Sequence, residues 1–333
     1  MLLLIITTSI YTLSYSQKTD FWDIDFYKAD SIASRYDGHD LKNLEKLAES
    51  LAKGNSTDPE KFRSIFRWIT DNIKYDYQLY LDNEINTRKF RYKRKKQLAW
   101  RNKFSKLSRS RTLKQKVAVC SGYSMLLEYM SSYVGIQCVT INGYGRTLTD
   151  AIGTGSVNHA WNAVLLNNKW YLCDPTWASG YVDHGTQRFY PRFNRNYFLT
   201  DPSLFIANHF PADTAWTLLR EKPTLKEFLN APIRDNGYLT NKIVTYSPRE
   251  GILKCKVNES VGFKFTSNSE IIDSKATVQI KMGKDVIAQD SVSLTRTNNG
   301  EFRIEHCFDK KGRYSVIIFV NTHMTFLYNV IVT

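Results

Sequence analysis

Two adjacent asparagines, Asn167 and Asn168, interrupt a run of alternating residues and constrain how the chain around them folds. Asparagine adopts the left-handed backbone conformation of a two-residue β-turn more readily than most side chains do. The pattern therefore predicts a β-hairpin with strands His159–Leu166 and Lys169–Trp177. Because the turn length fixes which residues face each other, it also predicts which side chains share a face.

One polar pair falls on the same face of this predicted hairpin. Counting outward from the turn places Trp161 opposite Asp174 and His159 opposite Thr176. Since side chains alternate between the two faces, His159 and Asp174 are diagonal neighbours within reach of a hydrogen bond. An aspartate in that position fixes the tautomer of the imidazole and stabilises its protonated form.

A cysteine stands at the start of another patterned segment. Residues 121–133 carry one apolar face at helical spacing, and Gly135 closes the predicted helix. The side chain of Cys120 would meet the unpaired N–H groups and the positive end of this helix, which stabilise a thiolate. Gly122 leaves little bulk beside it. A cysteine at a helix start is more often a small buried residue, so the predicted pair of His159 and Asp174 is what favours a nucleophile.

Short motifs surround these three side chains in a fixed order. They are Val119-Cys120-Ser121-Gly122-Tyr123-Ser124, Asn158-His159-Ala160-Trp161-Asn162 and Asp174-Pro175-Thr176-Trp177, preceded by Trp68-Ile69 and Ile73-Lys74-Tyr75-Asp76, and followed by Tyr197-Phe198-Leu199-Thr200-Asp201-Pro202, His209-Phe210-Pro211 and Trp216-Thr217-Leu218-Leu219. The motifs resemble those of the transglutaminase-like superfamily, and the downstream ones resemble its kyphoscoliosis-peptidase-like branch. The likeness covers roughly residues 40–230 and is specific because several motifs occur in order.

The resemblance implies an α+β fold and a role for each residue. A transglutaminase-like (papain-like) domain packs a helix that carries the cysteine against an antiparallel sheet. By this resemblance Cys120 is the nucleophile, His159 the general acid and base, and Asp174 its orienting partner. Two features depart from the family pattern: Ala118 stands where members often have glycine, and the basic insertion before Cys120 is unusually long.

The implied chemistry is acyl transfer at peptide or carboxamide bonds by an exported thiol enzyme. A thiolate attacks the carbonyl, His159 protonates the leaving amine, and a thioester remains on Cys120. The backbone N–H of Cys120 is the expected oxyanion donor, and the sequence identifies no second donor. Water as the acceptor gives hydrolysis, as in a protease, and a lysine-like amine gives a crosslink, as in a transglutaminase.

The sequence leaves both outcomes open. The alternative is a catalytically silent peptide-binding or scaffold protein that uses the same domain. Trp161, Trp177 and Gly122 are candidate substrate-binding residues, although aromatic residues so close to a hairpin core more often serve packing.

The length of 333 residues suits two domains. Residues 17–231 are expected to form the transglutaminase-like domain, and residues 232–333 an immunoglobulin-like β-sandwich. Tyr314 occupies a position that resembles the corner of immunoglobulin-like domains where a tyrosine ties down a loop. The sandwich is predicted by short alternating runs separated by turn residues, namely 252–257, 261–266, 276–281, 286–294, 302–307, 314–320 and 326–332.

Residues 1–16 have the pattern of a signal peptide. They contain no charged side chain, include the apolar run Leu2–Ile6, and place Ser14 and Ser16 just before Gln17. A buried N-terminal strand is the alternative. The run is too short to span a bilayer, which needs about 20 residues, and no later stretch is long and apolar enough. The expected location is therefore secreted, periplasmic or at the cell envelope.

The cysteine count adds a constraint to this expectation. Five cysteines leave at least one thiol unpaired within an exported chain. Cys255 and Cys307 could pair with each other. Cys138 and Cys173 could be buried small residues or a second pair, and the sequence does not decide the connectivity.

A basic insertion, residues 82–116, precedes the cysteine. Between Arg88 and Lys116 it holds fourteen Lys and Arg residues and no acidic residue, enough to account for the net charge of +14. Three interpretations stay open for residues 88–116: a solvated, partly mobile flap, docking on an anionic surface such as envelope polymer or lipid headgroups, and nucleic-acid contact.

The expected export and the lack of a nucleic-acid motif disfavour the third interpretation. The expected partner is a protein or peptide substrate. Neither a CxxC pair nor paired histidine spacing is present, so neither a metal nor a cofactor is expected.

Overall fold

The computed structural model describes residues 18–21, 23–183, 185–269, 275–293, 295–296 and 301–333. The predicted signal peptide lies outside these residues. The helices are α1 (Tyr27–Arg35), α2 (Leu44–Ala52), α3 (Asp58–Asn72), α4 (Tyr77–Phe90), α5 (Arg94–Gln115), α6 (Cys120–Tyr133), α7 (Pro175–Ser179), α8 (Pro202–Phe205), α9 (Leu225–Asn230) and α10 (Asn236–Thr240). The strands are β1 (Lys74–Tyr75), β2 (Val117–Ala118), β3 (Cys138–Gly145), β4 (His159–Leu166), β5 (Lys169–Cys173), β6 (Gly180–Asp183), β7 (Arg188–Pro191), β8 (His209–Pro211), β9 (Ile233–Arg234), β10 (Ile243–Ser247), β11 (Ile252–Cys255), β12 (Ser260–Ser267), β13 (Lys275–Met282), β14 (Asp285–Ser293), β15 (Thr295–Arg296), β16 (Phe302–Cys307), β17 (Gly312–Val320) and β18 (His323–Val332).

A four-stranded antiparallel sheet, in the order β5-β4-β3-β8, forms the centre of the first domain. Helix α6 packs against β3 and β4 and also against α2 and α3. The phenol of Tyr123 in α6 donates a hydrogen bond of 2.6 Å to the carbonyl of Ile73. The domain is therefore α+β, with the cysteine-bearing helix held against an antiparallel sheet.

The hairpin of β4 and β5 has the predicted register as far as Cys173. Asn167 and Asn168 have φ angles of 51° and 61°, as a two-residue turn requires, and Leu166 pairs with Lys169. The predicted second strand is too long, however. It ends at Cys173 because Asp174 caps a short helix, α7, which opens with Pro175.

Side-chain caps determine where two helices before the sheet begin. Helix α3 is capped by Thr57, since Thr57 and Glu60 form a reciprocal capping box. Helix α2 starts at Leu44 because the side chain of Asn43 caps it by accepting a hydrogen bond from the Lys46 N–H.

The basic insertion is not a flap without structure. It belongs to a pair of helices, α4 and α5, which we call the basic hairpin (residues 77–115). The indole N–H of Trp100 donates a 3.1 Å hydrogen bond to Asn83, and Arg111 pairs with Asp76 at 2.8 Å. A hydrogen bond and an ion pair between the two helices thus help to order a segment that its charge alone would leave solvated.

The second region is an immunoglobulin-like sandwich of two sheets. One has the order β10-β12-β16-β15, and the other has the order β11-β18-β17-β13-β14, with β9 also paired to β18. Phe263 from the first sheet meets Tyr328 from the second, with ring centroids 4.9 Å apart. The predicted tyrosine corner is present, since the Tyr314 hydroxyl donates a 2.8 Å hydrogen bond to the carbonyl of Lys310.

All five cysteines lie within the described residues, and none of them forms a disulfide. Cys138 and Cys173 are buried, as one of the two alternatives for this pair proposed, and burial raises the pKa of both thiols. Cys307 is exposed, whereas Cys255 is buried. Among the residues described, no helix is both long enough and apolar enough to cross a membrane.

Candidate active site

Cys120 is the first residue of helix α6 and is half-buried. The preceding residue, Val119, is extended and provides no side-chain cap. As the first helical residue, Cys120 has a backbone N–H that no carbonyl of the helix can accept, so this N–H is available to another acceptor. The helix start therefore presents both a thiol and a hydrogen-bond donor.

His159 is the first residue of β4, and Asp174 follows the last residue of β5. The Nε2 atom of His159 lies 2.8 Å from Oδ2 of Asp174. The other carboxylate oxygen, Oδ1, accepts the backbone N–H groups of Thr176 at 2.7 Å and Trp177 at 3.2 Å. These two bonds fix the carboxylate, because the helix that ends the strand also determines the direction in which Asp174 points.

The ionisation of the pair follows from its surroundings. Burial by itself lowers the pKa of His159, but the Asp174 carboxylate and hydrogen bonds to Asp174 and Cys120 outweigh burial and raise the pKa to about 10. Burial raises the pKa of Asp174, and the two neighbouring imidazoles reverse this and hold it well below its usual range. Because Nε2 of His159 is paired with Asp174, Nδ1 is the atom left for Cys120. The sequence-predicted His159 thus has both Asp174 and Cys120 as hydrogen-bonding neighbours.

A second imidazole contacts the same carboxylate, although no local pattern in the sequence assigns it a role. His209 is fully buried, and its Nε2 atom lies 3.1 Å from Oδ2 of Asp174. It belongs to β8, where it pairs with Gly145 of β3, while His159 pairs with Gly143 on the other side of that strand. The motif His209-Phe210-Pro211 was the available signal, but only strand order shows that it reaches Asp174.

Burial dominates the ionisation of His209. It lowers the pKa to about 4, although Asp174 acts in the opposite direction. In the structure Nδ1 of His209 lies 2.7 Å from Oδ1 of Asn208, whose NH₂ group donates a 3.2 Å hydrogen bond to the Tyr197 hydroxyl. A neutral ring carries one N–H, so it donates either to Asp174 or to Asn208 but not to both.

Tyr75 also lies at this site. It belongs to the motif Ile73-Lys74-Tyr75-Asp76, and the sequence predicts no role for it. It precedes α4 in the two-residue strand β1, which pairs with β2 just before Cys120. Burial, followed by the nearby Cys120 sulfur, raises the pKa of the Tyr75 phenol well above its usual value. The phenol therefore stays neutral and is a hydrogen-bond donor beside the sulfur.

The three candidate substrate-binding residues have different environments. Trp161 is 1% exposed and packs against Phe205 and His209, so its position gives it a packing role. Gly122 is also buried. A side chain would not fit there, because a Cβ would lie 2.4 Å from the Thr112 hydroxyl. Trp177 is half-buried and stacks on the His159 ring at 5.0 Å.

Donor atoms of His159, Asp174 and His209 lie within 4.8 Å of one another, close enough to share a metal ion. Both imidazole Nε2 atoms are directed at the same carboxylate oxygen. Hydrogen bonds therefore account for the proximity of these three groups, and a bound ion would have to displace the protons of both bonds.

The amino-acid sequence is similar to those of known proteins. A family model described as the transglutaminase-like superfamily matches residues 45–175. Kyphoscoliosis peptidase of Mus musculus is 32% identical over 232 residues, which cover 69% of this chain and 32% of that protein, and the Homo sapiens protein matches to the same extent. Hillarin of Drosophila melanogaster is 27% identical over 225 residues, covering 63% of this chain and 25% of that protein.

The chain thus spans a third or less of the length of these relatives. The matched segment contains the cysteine-bearing helix, the hairpin and the aspartate that ends it. The chain therefore belongs to the transglutaminase-like superfamily, in the branch that includes kyphoscoliosis peptidase.

Proposed function

We propose that this chain is a thiol enzyme that cleaves or transfers acyl groups at peptide or carboxamide bonds. One observation carries the proposal: the imidazole of His159 has the Asp174 carboxylate at 2.8 Å and the Cys120 sulfur as its hydrogen-bonding neighbours. A buried carboxylate and imidazole next to a half-buried thiol match the requirements of nucleophilic acyl transfer. The relatives named as peptidases support the same class of reaction.

The geometry assigns a task to each group in the first half of the reaction. The Cys120 sulfur, having given its proton to Nδ1 of His159, attacks the carbonyl carbon and forms a C–S bond. The oxygen gains negative charge and is met by the Cys120 backbone N–H. We assign the second donor to the Tyr75 hydroxyl, which stays protonated beside the sulfur. The C–N bond then breaks as His159 returns the proton to the leaving amine.

The second half consumes the thioester. An incoming water or primary amine gives a proton to His159, attacks the thioester carbon, and releases the sulfur. Trp177, stacked on His159 at 5.0 Å, covers one face of the ring and keeps it in the plane that both steps need. Water gives hydrolysis and an amine gives a crosslink, so the acceptor alone decides the product.

Thiol reactivity tests the role of the imidazole directly. Iodoacetamide should label Cys120 faster than exposed Cys307, and His159→Ala should slow the labelling of Cys120 by about tenfold or more, because the neighbouring cation is lost. Peptide mapping by mass spectrometry separates the two sites, so Cys307 is an internal control in every sample. Equal rates at Cys120 in both proteins would reject an activated thiolate. Incubation with EDTA should leave both rates unchanged, since no step uses a metal.

A non-catalytic peptide-binding or scaffold protein is the rival proposal, and turnover separates the two. A glutamine-containing peptide library is incubated with the wild-type protein and with Cys120→Ala, with and without a labelled primary amine. New termini or incorporated amine in the wild-type sample alone support the enzyme and identify the acceptor. Binding that survives in Cys120→Ala with no turnover in either protein supports the scaffold.

We further propose that the protein acts outside the cytoplasm. The support is the uncharged, apolar segment 1–16, which lies outside the described residues. Expression of the full sequence with a C-terminal tag, followed by sequencing of the N-terminus in each cell fraction, tests this proposal. An exported protein that begins at Gln17 supports it, and an uncleaved protein confined to the cytoplasm contradicts it.

A further inference from the structure

The basic hairpin concentrates positive charge that the rest of the protein does not neutralise. Fourteen Lys and Arg residues lie between Arg88 and Lys116. In the part of the chain that the structure describes, only two of them have an acidic partner within 4.0 Å: Arg88 meets Glu84 at 3.5 Å, and Arg111 meets Asp76 at 2.8 Å. The other twelve have no acidic side chain within this distance among the described residues, so this surface attracts an anionic partner.

The base of the basic hairpin is fixed beside Cys120. The backbone N–H of Asp76, which caps α4, donates a 2.9 Å hydrogen bond to the carbonyl of Ala118. On α5, Thr112 packs so closely on α6 that a Cβ at Gly122 would lie 2.4 Å from its hydroxyl. One end of a ligand bound along the basic hairpin would therefore lie next to Cys120.

A groove continues this path along the outside of α4. It is lined by Tyr77, Tyr80, Ile85, Arg88 and Thr149, among others, and its volume is about 320 Å³. The ring of Tyr80 lies 6.3 Å from that of Tyr75, which is the neighbour of Cys120. The groove thus lies next to the tyrosine that neighbours Cys120, where it is positioned to hold apolar side chains of an extended chain.

The distribution of residues on α5 argues against a membrane as the partner. A helix that lies on a bilayer gathers its exposed apolar residues on one face. Leu98 and Leu107 are 59% and 36% exposed, but nine residues at 100° each place them on opposite sides of α5. Exposed cations lie on several sides of the same helix: Lys95, Lys96 and Arg101 are at least 100° apart around its axis. A helix with cations on several sides and no apolar stripe suits a flexible polyanion that can follow its surface.

We propose that the basic hairpin docks an acidic segment of a polypeptide substrate and delivers the bond that follows it to Cys120. This rests on the proposed function, since acyl transfer at Cys120 requires a partner with carboxamide or peptide bonds. Charge on the hairpin steers the acidic segment and sets the association rate. The groove beside Tyr80 holds the chain between the hairpin and the sulfur.

Two charge variants of the full chain test the proposal. The first carries Lys95→Glu, Lys96→Glu, Arg101→Glu and Lys103→Glu, all at exposed positions of the basic hairpin. The matched control carries Lys222→Glu, Lys226→Glu, Lys310→Glu and Lys311→Glu, which are exposed elsewhere and change the net charge equally. Circular dichroism confirms that each variant is folded. Fluorescein-labelled polyglutamate of about 20 residues is the probe, read by anisotropy at several salt concentrations.

Polyglutamate should bind the wild-type and control proteins, and the hairpin variant should bind at least about tenfold more weakly because its local field is reversed. Saturating polyglutamate should also slow iodoacetamide labelling of Cys120 about fivefold, through occlusion of the cleft, without slowing labelling of Cys307. Equal binding by the two variants, or binding that leaves Cys120 unprotected, overturns the proposal.

Two further probes identify a different partner class. Phosphatidylserine vesicles or oligo-dT of about 20 nucleotides that bind through the same four residues, while polyglutamate does not, overturn the proposal in favour of a lipid or nucleic-acid surface. Cys120→Ala should bind polyglutamate like wild type. Failure of docking and failure of turnover are therefore separate results, since the first is read without catalysis and the second without polyglutamate.

Discussion

The cluster around Asp174 and the basic hairpin both concentrate ionisable groups, but they handle charge in opposite ways. In the cluster the groups are buried, and each one is satisfied by another side chain or by backbone N–H groups. On the hairpin the charges are exposed, and most have no acidic partner among the described residues. Because a buried charge is costly unless it is paired, the first arrangement is self-contained. The second is stable only because water solvates it, which leaves it available to a partner.

The largest effect is expected where the buried arrangement loses its anion. Asp174→Ala removes the cap of α7 and leaves the cationic His159 buried without its counterion. Breaking a buried ion pair in this way costs about 3–5 kcal/mol, so the free energy of unfolding in urea should fall by that amount. Asp174→Asn is the control, because it keeps an oxygen for the cap and removes only the charge.

Asp174→Asn should therefore lose less stability than Asp174→Ala and should still lose the fast labelling of Cys120. Equal urea midpoints for the alanine variant and the wild type would mean that the carboxylate does not hold the cluster together. Comparison of the two variants thus separates the structural task of Asp174 from its electrostatic one.

His209 sharpens the comparison because it is buried close to a charge and yet is held neutral. Its pKa is about 4 in the folded protein and about 6.5 in an unfolded chain. Between these two values the unfolded chain binds more protons at His209, so this residue makes the protein less stable as the pH falls. The raised pKa of His159 has the opposite effect in this pH range.

The measurement compares unfolding free energies at pH 7 and pH 5. Wild type should lose about 2 kcal/mol more than His209→Gln over this interval, at about 1.4 kcal/mol per pKa unit. The contribution of His159 is present in both proteins and cancels in the difference. Parallel curves for the two proteins would show that His209 is not held neutral in the fold.

The contact between the two regions is tested by Gly122→Ala. The added Cβ would lie 2.4 Å from the Thr112 hydroxyl and 2.9 Å from the Cβ of Ala118. Overpacking of this kind costs about 1–3 kcal/mol, and a smaller residue at Thr112 should relieve part of it. A double-mutant cycle with Thr112→Ala measures this coupling by urea unfolding. Additive effects would mean that the hairpin does not bear on the cysteine helix.

How much of the fold and of the candidate site could be predicted from the sequence depends on how far apart in the chain the contacting residues are. The neighbours His159 and Asp174 followed from a two-residue turn, since a local register fixes them. The end of β5 at Cys173 was missed because the side chain of Asp174, counted as a strand residue, caps a helix instead. A proline after Asp174 was the signal for that helix.

Contacts between distant segments were out of reach for the same reason. His209 reaches Asp174 only because β8 adds to the far side of β3, and no local pattern specifies which strands are adjacent. A solvated flap was one of three interpretations of the basic segment because charge dominates its composition, while the contact of Trp100 with Asn83 that helps order it spans two helices. Predictions from sequence therefore succeeded where turn geometry decided the outcome and failed where a helix cap or the pairing of distant strands and helices did.

The smallest effect is expected from a single exposed charge on the hairpin. Lys103 and Lys106 are both exposed and lie one helical turn apart on α5. Like charges at this spacing destabilise a helix by about 0.2–0.5 kcal/mol, and opposite charges stabilise it by a similar amount. Lys103→Glu should therefore raise the melting temperature slightly at low salt, and the gain should disappear at about 1 M salt, where the Debye length is about 3 Å. A loss of stability at low salt would mean that Lys103 has a partner within the fold, and the hairpin would then resemble the cluster at Asp174 more than it differs from it.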